Sequence, residues 1–231
     1  MNNMTDNSFL IAALNSFTPP DVETHMVVFY SSKPYINAQN AEKYVYYCIK
    51  YAKRYCTYVV TERFLKDNYL AQCMISPQGD IIGFQYATHI NLTYRGLINN
   101  DDNINIINTP FGNFFLSVDT DIFHPEVTKI AAKLGAQIII SSRYVENLNE
   151  ENFRCSLSAE RAALTHGVYV FDVTEDGGKL IEPNLKSCLE NRINEHSDGV
   201  GFNIDINNLP ASPDAIIENR FFEKYLNLME R

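Results

Sequence analysis

The stretch Phe111-Gly-Asn-Phe-Phe-Leu-Ser-Val-Asp119-Thr-Asp121-Ile-Phe-His-Pro125-Glu126-Val127 decides how this chain is read. Asn113 to Val118 is apolar enough for a buried strand, and Pro125 followed by Glu126 suits the first turn of a helix. Between them lies a polar elbow, Asp119-Thr120-Asp121. Strand-to-helix elbows aim one side chain out of the sheet into a pocket, so they often carry a nucleophile. Here that side chain is the carboxylate of Asp119.

Outward from the elbow, short apolar runs alternate with helical patterns. Towards the C-terminus, Pro125–Leu134 is expected as a helix stopped at Gly135, and Gln137–Ser141 as a buried strand. Asn152–His166 is expected as a helix, then strands at Val168–Asp172, Gly177–Pro183 and Gly199–Ile206. Towards the N-terminus, Tyr69–Ser76 and Asp80–Ala87 form a β-hairpin turned at Pro77-Gln-Gly79, and Asn103–Asn108 a short strand. Tyr58–Glu62 is a strand ending in a carboxylate, and His25–Tyr30 reads as the first core strand. Between them, Tyr44, Val45, Cys48, Ile49, Ala52 and Cys56 recur at three and four, which makes Asn37–Cys56 a helix. Residues 1–22 are expected as an N-terminal arm, with a short helix or partner-binding segment ended by Thr18-Pro-Pro20. Residues 23–209 form the domain and 210–231 a tail, helical over Asp214–Glu230. This order predicts an α/β sandwich with mixed sheets.

The pattern resembles the nitrilase, or carbon-nitrogen hydrolase, superfamily from about Val27 to Leu209. The family's elbow reads Cys-x-Asp followed shortly by Phe-Pro-Glu; here Asp121, Pro125 and Glu126 match, and Asp119 stands at the cysteine. The family's Pro-Glu strand end is similar to Val59-Val-Thr-Glu62, which places the general base at Glu62. Its hairpin and Gly-x-x-x-Lys-x-His segment are similar to Ser76–Asp80 and Gly83-Phe-Gln-Tyr-Ala87-Thr-His89, with Ala87 at the lysine. The resemblance implies a four-layer α-β-β-α sandwich, somewhat truncated because only Arg63–Asn68 separates the Glu62 strand from the hairpin.

The family mechanism needs a thiol that attacks, a carboxylate that takes its proton and an ammonium that stabilises the oxyanion. By the resemblance only the carboxylate, Glu62, is kept. Losing one oxyanion donor removes about 2.7–4 kcal/mol of transition-state stabilisation. The first expectation is therefore a catalytically inactive nitrilase-like protein that binds a small polar ligand, a partner chain, or both. The alternatives are a divergent carbon-nitrogen hydrolase using Glu62 and Asp119, and a structural subunit of a hetero-oligomer. Glu62 and Asp119 share a proton or a cation if they face each other; otherwise Asp119 caps a turn. Arg143 either pairs with Asp119 or binds a ligand carboxylate. His89, Thr120 and Tyr144 complete the ligand-binding candidates, with His89 expected to orient a loop. The resemblance also implies a homodimer formed through the two helices after the elbow.

Composition sets limits on this reading. The 231 residues carry net charge −9, which argues against a general nucleic-acid surface. The five cysteines, Cys48, Cys56, Cys73, Cys155 and Cys188, are odd in number and contain no Cys-x-x-Cys pair, so buried, reduced thiols in the cytoplasm are expected. No run approaches the roughly 18 apolar residues of a membrane span, and no basic residue precedes Phe9–Leu14, so neither a membrane anchor nor a signal peptide is expected. His89, His124 and His166 show no ligand spacing, and the expectation is no metal and no cofactor.

Overall fold

The computed structural model describes residues 8–20, 24–91, 94, 96–144, 150–183, 202–205 and 209. Two sheets face each other, with helices on both outer surfaces. The first sheet holds β1 (Ser8–Leu14), β2 (Met26–Phe29), β3 (Tyr58–Val60), β4 (Phe64–Lys66), β5 (Tyr69–Ile75), β6 (Ile81–Tyr86) and, from the far end of the chain, β12 (Phe202–Asp205). Its order is β12-β1-β2-β3-β5-β4, and β6 pairs with the other side of β5. The second sheet, in the order β11-β10-β9-β8-β7, is built from β7 (Ile107–Thr109), β8 (Gly112–Val118), β9 (Ile138–Ser142), β10 (Tyr169–Thr174) and β11 (Gly177–Ile181).

The strand pattern follows from which faces are covered. Inward residues such as Phe9, Ile11, Met26, Val28, Val60 and Met74 of the first sheet meet Phe114, Leu116, Ile138, Ile140 and Phe171 of the second in one apolar layer. β2 is buried on both faces, as suits a parallel strand flanked by β1 and β3 and roofed by a helix. That helix, α1 (Ala38–Tyr55), begins where the Asn37 side chain accepts from the Asn40 N–H at 3.1 Å. It lays Ala41, Cys48, Tyr51 and Ala52 on Val27, Phe29, Val59 and Ile75. On the opposite surface α2 (Pro125–Lys133) and α3 (Glu150–His166) pack mostly alanines, Ala131, Ala132, Ala159, Ala162 and Ala163, against Phe115, Ile139 and Val170. These are the four layers α-β-β-α.

Three expectations change. Ser8–Leu14, assigned to an arm or helix, is a strand between β2 and β12; its apolar residues are buried on both sides, so neither a helical nor an alternating pattern marks it. The Arg63–Asn68 connection holds β4 and a tight hairpin turn in which Asp67 and Asn68 both take positive φ, 52° and 64°. Cys56 is exposed at the left-handed end of α1, whereas Cys48 and Cys73 are buried. The helix expected at Asp214–Glu230 and Cys188 lie outside the described residues. Among those described, no helix is long and apolar enough to cross a membrane.

Candidate functional site

Asp119 is the hinge of the site. It follows β8, adopts φ 54° and opens a single 3-10 turn, Asp119–Phe123, before α2. Positive φ is uncommon outside glycine, and aspartate is among the side chains that enter it most readily. The turn is fixed to the exit of β6 by Asp121. Its buried carboxylate accepts from the Thr88 N–H at 3.1 Å, the Thr88 hydroxyl at 2.7 Å and the His89 N–H at 2.7 Å. The Thr120 hydroxyl donates to the His89 carbonyl at 3.0 Å. Both contacts are made by the His89 backbone. Ala87 is buried with Leu70, Ile98 and Val118, so its position is an apolar wall.

Glu62 and Asp119 are joined by a residue that the sequence reading passed over. Along β5, Val60 pairs with Met74 but Phe64 pairs with Ala71: four steps on one side against three on the other. This one-residue bulge reverses which side chain faces inward. Phe64 packs on the α1 side, and Arg63 turns to the opposite side, towards Asp119. Glu62 keeps to α1, where its N–H donates to the Tyr44 hydroxyl at 2.9 Å and its carboxyl raises the Tyr44 phenol and Cys48 thiol.

The guanidinium of Arg63 is essentially inaccessible, 1% exposed. Its Nη2 donates to the Lys33 carbonyl at 3.2 Å, while Nε and Nη1 have no hydrogen-bond partner among the described residues. Burial lowers its pKa, and Asp119, then Glu62, Tyr94 and Glu175, raise it. Asp119 is the counterpart: burial pushes its carboxyl up, Arg63 is the foremost group holding it down, and the Tyr144 backbone N–H donates to it. One Asp119 oxygen, Oδ2, and both Glu175 oxygens are buried without partners. Glu62 is also pushed up by burial, against Ser31, Arg63 and Lys33.

Arg143 has two carboxylate neighbours. Its Nη1 forms a buried ion pair with Asp172 on β10, and it acts on Asp119 only as the weakest of the five influences there. Tyr144 contributes its backbone N–H. The residues missed by sequence reasoning are Arg63, hidden by the bulge, and Glu175, beside Asp176 in the β10–β11 turn with no motif around it. At the mouth of the elbow the structure also brings together His89, His124 and Glu126. The two imidazoles stack with centroids 3.5 Å apart, and Glu126 Oε1 lies 3.8 Å from His89 Nε2 and 3.4 Å from His124 Nδ1. His166 is not part of this group.

Two facing sheets with helices on both outer surfaces, and an elbow at positive φ ending β8, define a four-layer α-β-β-α sandwich. No known family description matches the sequence, and no curated protein matches it. Solved structures do. A carbon-nitrogen hydrolase from Helicobacter pylori G27 superposes with TM-score 0.69 at 14% identity, covering 97% of this chain and 95% of that one. A mutant of the Nesterenkonia AN1 amidase from the nitrilase superfamily gives TM-score 0.69 at 11% identity, covering 94% and 97%. Another form of that amidase, with acrylamide added at its active-site cysteine, gives 0.62 at 11% identity, covering 76% and 85%. This chain has the nitrilase-superfamily fold.

Proposed function

We propose that this chain is a nitrilase-fold protein that binds a small polar ligand at the elbow instead of hydrolysing it. The observation that carries this reading is that Arg63 and Asp119 are both buried, with Arg63 Nε and Nη1 and Asp119 Oδ2 lacking hydrogen-bond partners among the described residues. A guanidinium does not give up its proton, so Arg63 cannot serve as a base. A carboxylate at the elbow is a poor nucleophile towards an amide. The chemistry suited to these groups is recognition. A primary carboxamide offers its carbonyl oxygen to the Arg63 N–H groups and its amino group to Asp119 and Glu175. Support for a ligand of this size comes from the amidase that takes acrylamide on the same fold. Buried polar atoms left unmatched carry a free-energy cost, which such a ligand relieves on binding.

The test is calorimetry and thermal shift with acetamide and butyramide, their N,N-dimethyl analogues and the matching carboxylates, alongside an ammonia assay. Primary amides are expected to bind and raise the melting temperature, the dimethyl analogues to fail, and no ammonia to appear. Steady ammonia release, or indifference to every amide, would overturn the reading.

A second reading concerns self-association. Leu134 at the end of α2 and Leu157 and Leu164 on α3 are 56%, 43% and 39% exposed. Apolar side chains on the two helices behind the elbow support a homodimer joined through that surface.

A further inference from the structure

We propose that His89 Nε2, His124 Nδ1 and Glu126 Oε1 form a binding site for one divalent transition cation of the zinc class. The three donor atoms lie within 4.8 Å of one another, and no ion is needed elsewhere to hold them there. In a tetrahedral zinc site with bonds of roughly 2.0–2.1 Å, ligand atoms sit about 3.3 Å apart. The separations of 3.4 Å and 3.8 Å are close to that spacing, and the stacked imidazoles must turn out of parallel for both lone pairs to reach one ion.

Hydrogen bonding decides which nitrogen of His89 faces the site. The Thr88 hydroxyl has one hydrogen and gives it to Asp121 Oδ1 at 2.7 Å, since a carboxylate only accepts. The same hydroxyl lies 2.9 Å from His89 Nδ1, so Nδ1 must be the donor in that contact. In neutral His89, Nε2 then carries a lone pair and points it at a carboxylate oxygen of Glu126. Two acceptors then stand 3.8 Å apart, an arrangement that a cation, an added proton or a bridging water satisfies. Asp121 lies 3.6 Å behind Nδ1. A carboxylate behind the ring nitrogen opposite the metal fixes the tautomer and strengthens the ligand.

The electrostatics tolerate a cation although His124 and Glu126 stand at the positive end of α2. Glu126 and Asp121 both lie within the cluster, and the ring of His124 faces Glu126 from the other side. Two imidazoles and one carboxylate suit zinc and its late first-row neighbours better than calcium or magnesium. All three side chains are partly exposed, which leaves further coordination positions for water or a ligand's own donor.

The untagged, chelator-treated chain is titrated with Zn2+ by calorimetry and with Co2+ by visible absorption. The expected result is one equivalent per chain and a cobalt spectrum without a sulfur charge-transfer band. Thr88→Val, which breaks the contact behind His89, should weaken binding roughly 10–100-fold. His124→Ala and Glu126→Gln, both on exposed side chains, should weaken it at least as much while leaving circular dichroism unchanged. Absence of stoichiometric binding, a thiolate band, or affinity unmoved by His124→Ala and Glu126→Gln would each overturn the site, and a proton or water shared between His89 and Glu126 would then account for the contact.

Discussion

Replacing Arg63 with Met isolates the central claim about the elbow. The change keeps most of the side-chain volume, removes the foremost group holding the Asp119 carboxyl down, and deletes the bond to the Lys33 carbonyl. Arg63 and Asp119 are not in ion-pair contact, but leaving the buried Asp119 carboxylate without its foremost cation costs on the order of 1–3 kcal/mol. For a chain of this length each kcal/mol moves the melting temperature by roughly 2–4 °C, so Arg63→Met should melt on the order of 5 °C lower. The loss should depend on pH. Asp119 is already raised in the folded protein, so its favourable contribution is complete below the unfolded value of about 3.9 and fades as pH rises through the folded value. Without Arg63 the folded value climbs further, and the fading extends to higher pH. The deficit of Arg63→Met should therefore be larger at pH 8 than at pH 5. Asp119→Asn added to Arg63→Met should recover stability, with a coupling of about 1–3 kcal/mol in the double-mutant cycle. Urea unfolding across pH 5–8 measures all of this. A deficit that is flat with pH, or additivity of the two substitutions, would refute the electrostatic coupling of Arg63 to Asp119.

Asp119→Cys alone should give no steady turnover of an unactivated amide, because Ala87 supplies no ammonium and Arg63 takes no proton; sustained ammonia release by that variant would contradict this. Leu164→Asp should convert a dimer to a species of 26.4 kDa by light scattering, and a monomeric parent protein would defeat the interface through α3. Iodoacetamide should label Cys56 in the native protein well before Cys48 or Cys73; burial raises both inner thiols, Cys73 to about 12, and peptide mapping that finds them modified equally fast would count against their burial.

Much of the fold was readable because its signals are local. The helical stripe from Tyr44 to Cys56, the Pro77-Gln-Gly79 hairpin and the Asp119–Pro125 elbow each declare themselves within a few residues. What stayed hidden depends on partners distant in sequence. β1 is covered by β2 and β12 and shows no period. The inward turn of Arg63 depends on the register between β3, β4 and β5, and strand alternation alone places Glu62 inward instead. His89 and His124 are brought into contact by Asp121, which clamps the exit of β6 to the turn after β8. No spacing rule along the chain anticipates that meeting.

The pairing of Ser8 with Asp205 and Ile11 with Phe202 has a consequence for how the molecule comes into being. An early strand and a very late one are stitched side by side, so the ladder along β1 is closed on that side only after nearly the whole described chain exists. During synthesis β1 waits with one edge of backbone donors and acceptors unanswered, next to apolar side chains destined for the space between the sheets. Contacts of such long sequence separation slow folding, and an uncovered strand edge invites pairing with another chain. Nascent chains stalled before Phe202 should thus be the most aggregation-prone species this protein passes through.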